Sequence, residues 1–247
     1  MSDFYAGLIS GLVSTFVCNP FDVIRTNIQL NNKINYNLSF LYRGIYSGLI
    51  TIPSYWSIYF YSYQKLKEKN LNKCTSFMNG YIASNFSSTI TCPLWFIRQK
   101  TQTMPILENG NNKYIFDFIN HYKQYGISPF YKGLVSTYLI NGSFLIQIPV
   151  YEKLKVNHQL NEIIRNDTSR IFIITAFAKT VASCVFYPID TIRVTKRNSN
   201  DSYFKIIKKL NISPINYYLG IRIYLLRSIP YHSTIFCTFE YFKKLYK

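Results

Sequence analysis

Pro20-Phe21-Asp22-Val23-Ile24-Arg25 returns as Pro93-Leu94-Trp95-Phe96-Ile97-Arg98 and again as Pro188-Ile189-Asp190-Thr191-Ile192-Arg193. Each copy closes a long run without charge, and four residues beyond its arginine stand Gln29, Gln102 and Arg197. A second pattern ends the alternate runs: Tyr63-Gln64-Lys65-Leu66-Lys67, Tyr151-Glu152-Lys153-Leu154-Lys155 and Phe239-Glu240-Tyr241-Phe242-Lys243, 88 residues apart both times. Between the two patterns lies an aromatic-x-Gly, as Tyr42-Arg43-Gly44, Tyr131-Lys132-Gly133 and Tyr218-Leu219-Gly220. Self-similarity at a fixed spacing means one structural unit used three times. Residues 1–70, 71–160 and 161–247 therefore read as three repeats of one domain.

The runs between the motifs set the class. Phe4 to Phe21, Gly44 to Gln64, Cys74 to Ile97 and Gly133 to Tyr151 carry no charge. Each approaches or exceeds the roughly 20 residues needed to cross a bilayer as a helix. Two weaker runs follow, Ile171 to Ile189 interrupted by Lys179 and Ile223 to Phe239 interrupted by Arg227. The expectation is an all-α membrane protein with six transmembrane helices and both termini on one side. Only 16% of the 247 residues are charged, against about 25% in soluble domains. A membrane barrel needs short alternating segments and is disfavoured. The net charge of +17 points to phosphate: nucleic acid, an anionic membrane surface or a phosphorylated solute. A basic, aromatic nucleic-acid-binding protein is the reading from another class, and the uncharged runs argue against it.

Proline inside a helix removes a backbone hydrogen bond and clashes with the turn before it, so Pro20, Pro93 and Pro188 are expected to kink their helices toward a common axis. Asp three residues before Arg, and Glu three before Lys, lie on one side of a helix. Three such units around an axis would set a ring of alternating charge at each end of the bundle. Charge at membrane depth is costly unless paired, and two rings opening in turn make a gate at each mouth. Arg227 stands in mid-span, where its planar fork suits phosphate or carboxylate and marks it as the anion-binding residue. Lys179 either adds a second cation to the cavity or snorkels to one mouth. Trp56 and Tyr138 could stack on a base or pack as interface aromatics. Gly7 and Gly11, and Gly80, Ser84 and Ser88, have the spacing of close helix packing.

Other chemistry is not visible. Cys18, Cys74, Cys92, Cys184 and Cys237 are scattered and read as structural thiols, and His121, His158 and His232 are isolated. No metal site, cofactor or nucleophile-base pair is expected, so the chain does not read as an enzyme. No Arg-rich or cleavable leader is seen before Phe4, and an organelle address is expected to be internal.

Three copies of Pro-x-acid-x-x-base, with aromatic-acid-x-x-base ending the even helices, resemble the mitochondrial carrier family over essentially the whole chain. The resemblance implies three two-helix repeats around a pseudo-threefold axis and a monomer in a mitochondrial or mitochondrion-related inner membrane. It places amphipathic surface segments 31–40, 109–125 and 199–210 on the matrix side, against lipid, with cardiolipin as a candidate. Carried over position by position, it pairs Asp22 with Arg98 and Asp190 with Arg25 on the matrix side, braced by Gln29 and Gln102. On the cytoplasmic side it pairs Glu152 with Lys243 and Glu240 with Lys67, braced by Tyr63 and Tyr151. Trp95 and Gln64 replace acids, which leaves Arg193 and Lys155 without their usual partners, and Arg197 replaces the third brace. Each gate is then expected to open more easily than a complete ring. Pro-x-Trp in the second repeat is similar to the branch carrying flavin adenine dinucleotide, folate, nicotinamide adenine dinucleotide and pyrimidine nucleotides. The implied cargo is a nucleotide-like anion, with adenine nucleotide exchange as the alternative that Trp95 disfavours. The substrate positions implied are Thr51, Leu139 or Ile140, and Arg227.

Overall fold

The uncharged runs fold as helices, and the prolines do not end them. A computed structural model describes residues 2–69, 73–103, 122–156 and 167–227. Four long helices carry the frame: α1 (Ser2–Gln29), followed by the single turn α2 (Leu38–Leu41), then α3 (Ile45–Lys69) and α4 (Lys73–Thr103). After the short helices α5 (Leu134–Asn141) and α6 (Phe144–Val156) comes the fourth long one, α7 (Asp167–Asn198), then the surface helix α8 (Tyr203–Leu210). Residues 221–227 are again helical, and no strand occurs among the described residues. Pro20, Pro93 and Pro188 lie inside α1, α4 and α7, which each run nine or ten residues further. The motif acid and base are thus presented from continuous helix. At about 1.5 Å per residue, α1 is about 42 Å long, enough to span a hydrocarbon core of about 30 Å.

The core is inverted relative to a water-soluble bundle. Among the described residues 22 buried side chains are polar or charged and 14 are apolar, while Met78, Ile82, Phe86 and Ile90 form an exposed stripe along α4. The neighbouring stripe of the same helix, Asn79, Ala83, Ser87 and Thr91, is fully buried. An apolar exterior around a polar interior fits lipid as the surrounding solvent. Among the described residues two stretches, Ser128–Val156 and Ile173–Asn198, are long and apolar enough to cross a membrane. Uncharged is not the same as apolar: α3 and α4 hold Ser, Thr, Asn and Tyr that lower their hydropathy.

Each aromatic-x-Gly turn docks on the proline-motif helix of another repeat. Gly44, Gly133 and Gly220 all have positive φ, +69°, +79° and +80°. A Cβ on Gly44 would meet Thr101 Oγ1 of α4 at 2.6 Å, one on Gly133 would meet Arg193 Cγ of α7 at 3.3 Å, and one on Gly220 would meet the Arg25 carbonyl of α1 at 3.2 Å. The contacts therefore run from repeat one to two, two to three and three to one. Within each repeat, the residue just before the proline ties the same turn down. Asn19 Nδ2 donates to the carbonyls of Leu41 and Arg43 (3.0 and 3.2 Å), Cys92 Sγ to Phe130 (3.3 Å) and Tyr187 Oη to Leu219 (2.8 Å).

Three expectations change. The run Gly133 to Tyr151 is not one helix: α5 stops at Asn141, a turn spans Gly142 and Ser143, and α6 begins at Phe144. This run is one residue shorter from its glycine to the motif aromatic than the other two, and a missing residue rotates a helix face by about 100°. The break absorbs that rotation. Segment 31–40 is mostly irregular, because Asn31 at φ 54° closes α1 with Asn32 N donating to Asn27 O at 3.0 Å. Segment 199–210 is helical only from Tyr203. There Ile206 and Leu210 are buried, and Lys205 lies 2.8 Å from Asp201. The hydrogen bond from Lys205 holds the Asp201 carboxyl below its ordinary range.

Candidate functional site

α1, α4 and α7 converge near their prolines, and the carboxylates they carry each bridge two arginines. Asp22 Oδ2 accepts from Arg98 Nη2 at 3.1 Å, and its other oxygen lies 2.9 Å from Arg227 Nε. Asp190 takes Arg25 on one oxygen and Arg193, one turn along its own helix, on the other. Gln29 Nε2 adds a hydrogen bond to Asp190 at 3.1 Å. The Arg25 guanidinium also sits 4.4 Å from the centre of the Tyr224 ring and 5.2 Å from that of Tyr187. Ion pairs at this depth, closed by a second hydrogen-bonding partner, are the arrangement that offsets the cost of desolvating charge.

Directly against this network is a cavity of about 430 Å³, within the about 300–1,000 Å³ typical of small-molecule sites. Its charged lining is Arg25, Arg98, Arg193, Arg197, Arg227 and Lys179 against Asp22 and Asp190, an excess of four cations. One wall is aromatic, with Tyr55, Trp56 and Trp95; Tyr224 lines the cavity beside Arg25, and Ile140 and Ser143 approach from the break between α5 and α6. Tyr55 begins a ladder along α3, stacked on Tyr59 at 6.4 Å, which is stacked on Tyr63 at 6.0 Å.

Several expected positions meet here and others do not. Lys179, Ile140 and Arg227 line the cavity, with Trp95 between Tyr55 (6.4 Å, edge on) and the Arg98 guanidinium (5.4 Å). Thr51 is not in the lining: it is fully buried, and its hydroxyl donates to the Ser47 carbonyl at 2.6 Å. Leu139 is 53% exposed and faces outward, so the one-residue offset resolves in favour of Ile140. Trp56 reaches the cavity, whereas the Tyr138 hydroxyl is held by Thr89 at 2.6 Å. Arg227 is paired with Asp22 and does not stand alone in mid-span. Arg193, expected to lack a partner because of Trp95, takes Asp190 of its own helix instead. Gln102 does not brace as Gln29 does. Both oxygens of Asp22 are already engaged, and the buried Gln102 Nε2 has no hydrogen-bond partner among the described residues.

The opposite end differs. Gln64, Lys67, Glu152 and Lys155 are exposed and make no ion pair among the described residues. Tyr63 and Tyr151 are half-buried, and Lys155 Nζ rests 5.9 Å from the Tyr151 ring. Glu240 and Lys243 lie outside the described residues, as do His121, His158, His232 and Cys237. Cys18 and Cys92 are buried, Cys184 is half-buried, and no cluster of metal-ligating side chains occurs among the described residues. Ser84 and Ser88 are buried beside Gly80, whose Cβ would lie 3.7 Å from the Tyr59 hydroxyl, so α3 and α4 pack closely there.

Sequence comparison matches the chain to one family in three stretches. The model of the family described as mitochondrial carrier protein matches residues 1–74, 69–161 and 165–247. Mitochondrial substrate carrier family protein W of Dictyostelium discoideum is 26% identical, over 97% of this chain and 85% of its own. Mitochondrial nicotinamide adenine dinucleotide transporter 1 of Saccharomyces cerevisiae is 27% identical, over 98% of this chain and 75% of its own. The chloroplastic nicotinamide adenine dinucleotide transporter 1 of Arabidopsis thaliana is 28% identical, over 95% of this chain and 88% of its own.

Proposed function

The chain belongs to the mitochondrial carrier family, and from that premise we propose that it carries a nucleotide-like anion across the inner membrane of a mitochondrion or a related organelle by alternating access. Six membrane spans in three repeats would surround the cavity, and the two charged rings would be its gates. The matrix ring is the network of Asp22, Arg98, Arg227, Asp190, Arg25, Arg193 and Gln29. The cytoplasmic ring is Gln64, Lys67, Glu152, Lys155, Glu240 and Lys243 with Tyr63 and Tyr151. A paired matrix ring and unpaired residues at the other end fit a cavity open to the cytoplasm.

The observation that carries this reading is the lining: four cations in excess, against an aromatic wall, in a space of about 430 Å³. Excess guanidinium favours phosphate, whose oxygens it meets in bidentate fashion. The Tyr55 and Trp56 rings offer a flat face to a base. Two of the similar proteins are named as nicotinamide adenine dinucleotide transporters, which supports that dinucleotide as one candidate cargo beside flavin adenine dinucleotide, folate and pyrimidine nucleotides. Lys179 and Arg227 are the residues proposed to hold the anion, with Ile140 as the apolar side. Arg227 has a second duty, because a cargo that draws it off Asp22 loosens one matrix pair. The exposed apolar stripe on α4 supports membrane residence over a basic nucleic-acid binder, for which that stripe would face water.

Proteoliposomes loaded with or without counter-solute test the reading. Uptake of at least one of these labelled solutes is expected, and Arg227→Ala should lower it about tenfold or more, the loss of one charge-assisted contact. A folded protein that takes up none of them, or an unchanged Arg227→Ala rate, would sink the assignment.

A further inference from the structure

We infer that the junction between α4 and α7 is a second oxyanion subsite, centred on Arg197, that takes the further phosphate of a pyrophosphate-bearing cargo or a free phosphate. The identity of the cargo rests on the transport reading; the site does not.

Arg197 lines the cavity with only 5% of its surface exposed. Its three hydrogen bonds go to neutral acceptors, the Lys132 carbonyl, Gln99 Oε1 and Thr137 Oγ1, each at the long distance of 3.4 Å. No carboxylate lies within ion-pair distance of it among the described residues. A buried guanidinium held only by long contacts to neutral groups is costly unless an anion joins it.

The surroundings supply the rest of a site. One turn back, Arg193 turns an Nη toward Asp190, while its buried Nε has no hydrogen-bond partner among the described residues. A Cβ on Gly133 would lie 3.3 Å from the Cγ of both Arg193 and Arg197, so the glycine lets both stems rest on the start of α5. α4 brings Trp95 where an acid would otherwise answer Arg193. The places equivalent to Arg197 in the other repeats hold Gln29 and Gln102, which carry no charge. The junction thus sets Arg197, with no carboxylate of its own among the described residues, beside the Asp190-paired Arg193, and an oxyanion is the species that matches that uncompensated charge.

Those glutamines also make the test variant a mild one. Purified full-length protein in detergent is titrated with inorganic pyrophosphate and, separately, inorganic phosphate, following the thermal midpoint and the emission of Trp56 and Trp95, both of which line the cavity. Wild-type protein should show a saturable response, and Arg197→Gln should bind about tenfold more weakly, the loss of one charge-assisted hydrogen bond. Lys205→Gln, on the surface of α8, should bind as wild type does. Pyrophosphate acting well below the concentration of phosphate assigns the site to the cargo, and equal potency assigns it to free phosphate. Equal binding by wild type and Arg197→Gln overturns the inference. If that variant does not fold, a wild-type emission that neither anion changes overturns it as well. Binding that depends on Arg197 in a protein that moves no nucleotide-like solute would keep the site and discard the transport reading.

Discussion

Where α1 meets α4, Asp22 holds Arg98 at 3.1 Å and Arg227 at 2.9 Å; where α4 meets α7, the same place in the motif is Trp95, and Arg193 turns back to its own helix. One junction is closed by a carboxylate shared between repeats. The other is closed without an ion pair between the two helices, by Gln99 Nε2 to the Val194 carbonyl at 2.8 Å, Thr103 Oγ1 to Asn198 at 2.9 Å and Arg197 Nη1 to Gln99 Oε1 at 3.4 Å. The α4–α7 junction is thus held without the acid that closes the α1–α4 junction. Where it is omitted, positive charge is left for something else to answer.

The largest expected effect comes from making the first junction like the second. Asp22→Asn strips two buried guanidiniums of their carboxylate, a loss of about 3–5 kcal/mol for a broken buried pair. The thermal midpoint should fall sharply and uptake should become leaky; a wild-type midpoint would mean the shared carboxylate holds nothing. The docking glycines come next. Gly44→Ala adds left-handed strain of about 1–2 kcal/mol to a collision with Thr101 Oγ1 at 2.6 Å, for a total of about 3 kcal/mol with overpacking. Gly126→Ala, at φ +70° with nothing within 4 Å, isolates the strain and should cost about 1 kcal/mol. If the two variants unfold alike, the turn is not wedged against α4. The smallest change in stability is expected for the converse substitution, Trp95→Asp. It gives up a cation–π contact of about 0.5–2 kcal/mol with Arg98 while offering Arg193 a carboxylate, for a net effect below about 1 kcal/mol. Its signature is functional: the new acid should slow net uptake and weaken the pyrophosphate response, and a full response would separate the two guanidiniums from that position.

The pairs Asp22 with Arg98 and Asp190 with Arg25 were legible only through the family resemblance, carried over position by position onto a motif that repeats in residue type as well as spacing. The tie that each repeat makes from the residue before its proline was not. Asn19, Cys92 and Tyr187 share no chemistry that a comparison of letters would catch, and only their common target, a turn carbonyl, shows them equivalent. Arg227 looked solitary in mid-span because its partner stands about two hundred residues earlier, on α1. The interruption between α5 and α6 had a visible cause, the missing residue, but periodicity does not say whether a helix absorbs a lost residue by twisting or by breaking. Thr51 and Leu139 were placed by analogy of position alone: Thr51 is buried with its hydroxyl on its own helix, and Leu139 is exposed on the outside.

The inverted core also has a thermodynamic signature. A soluble domain of this size owes much of its heat-capacity increment on melting to oily surface newly wetted. Here that surface is already outside, in contact with lipid or detergent before and after the transition, while melting frees mainly hydroxyls and amides. Calorimetry should accordingly give a melting curve of low curvature, and the fold should depend on how well its surroundings solvate hydrocarbon more than on how strongly water expels it.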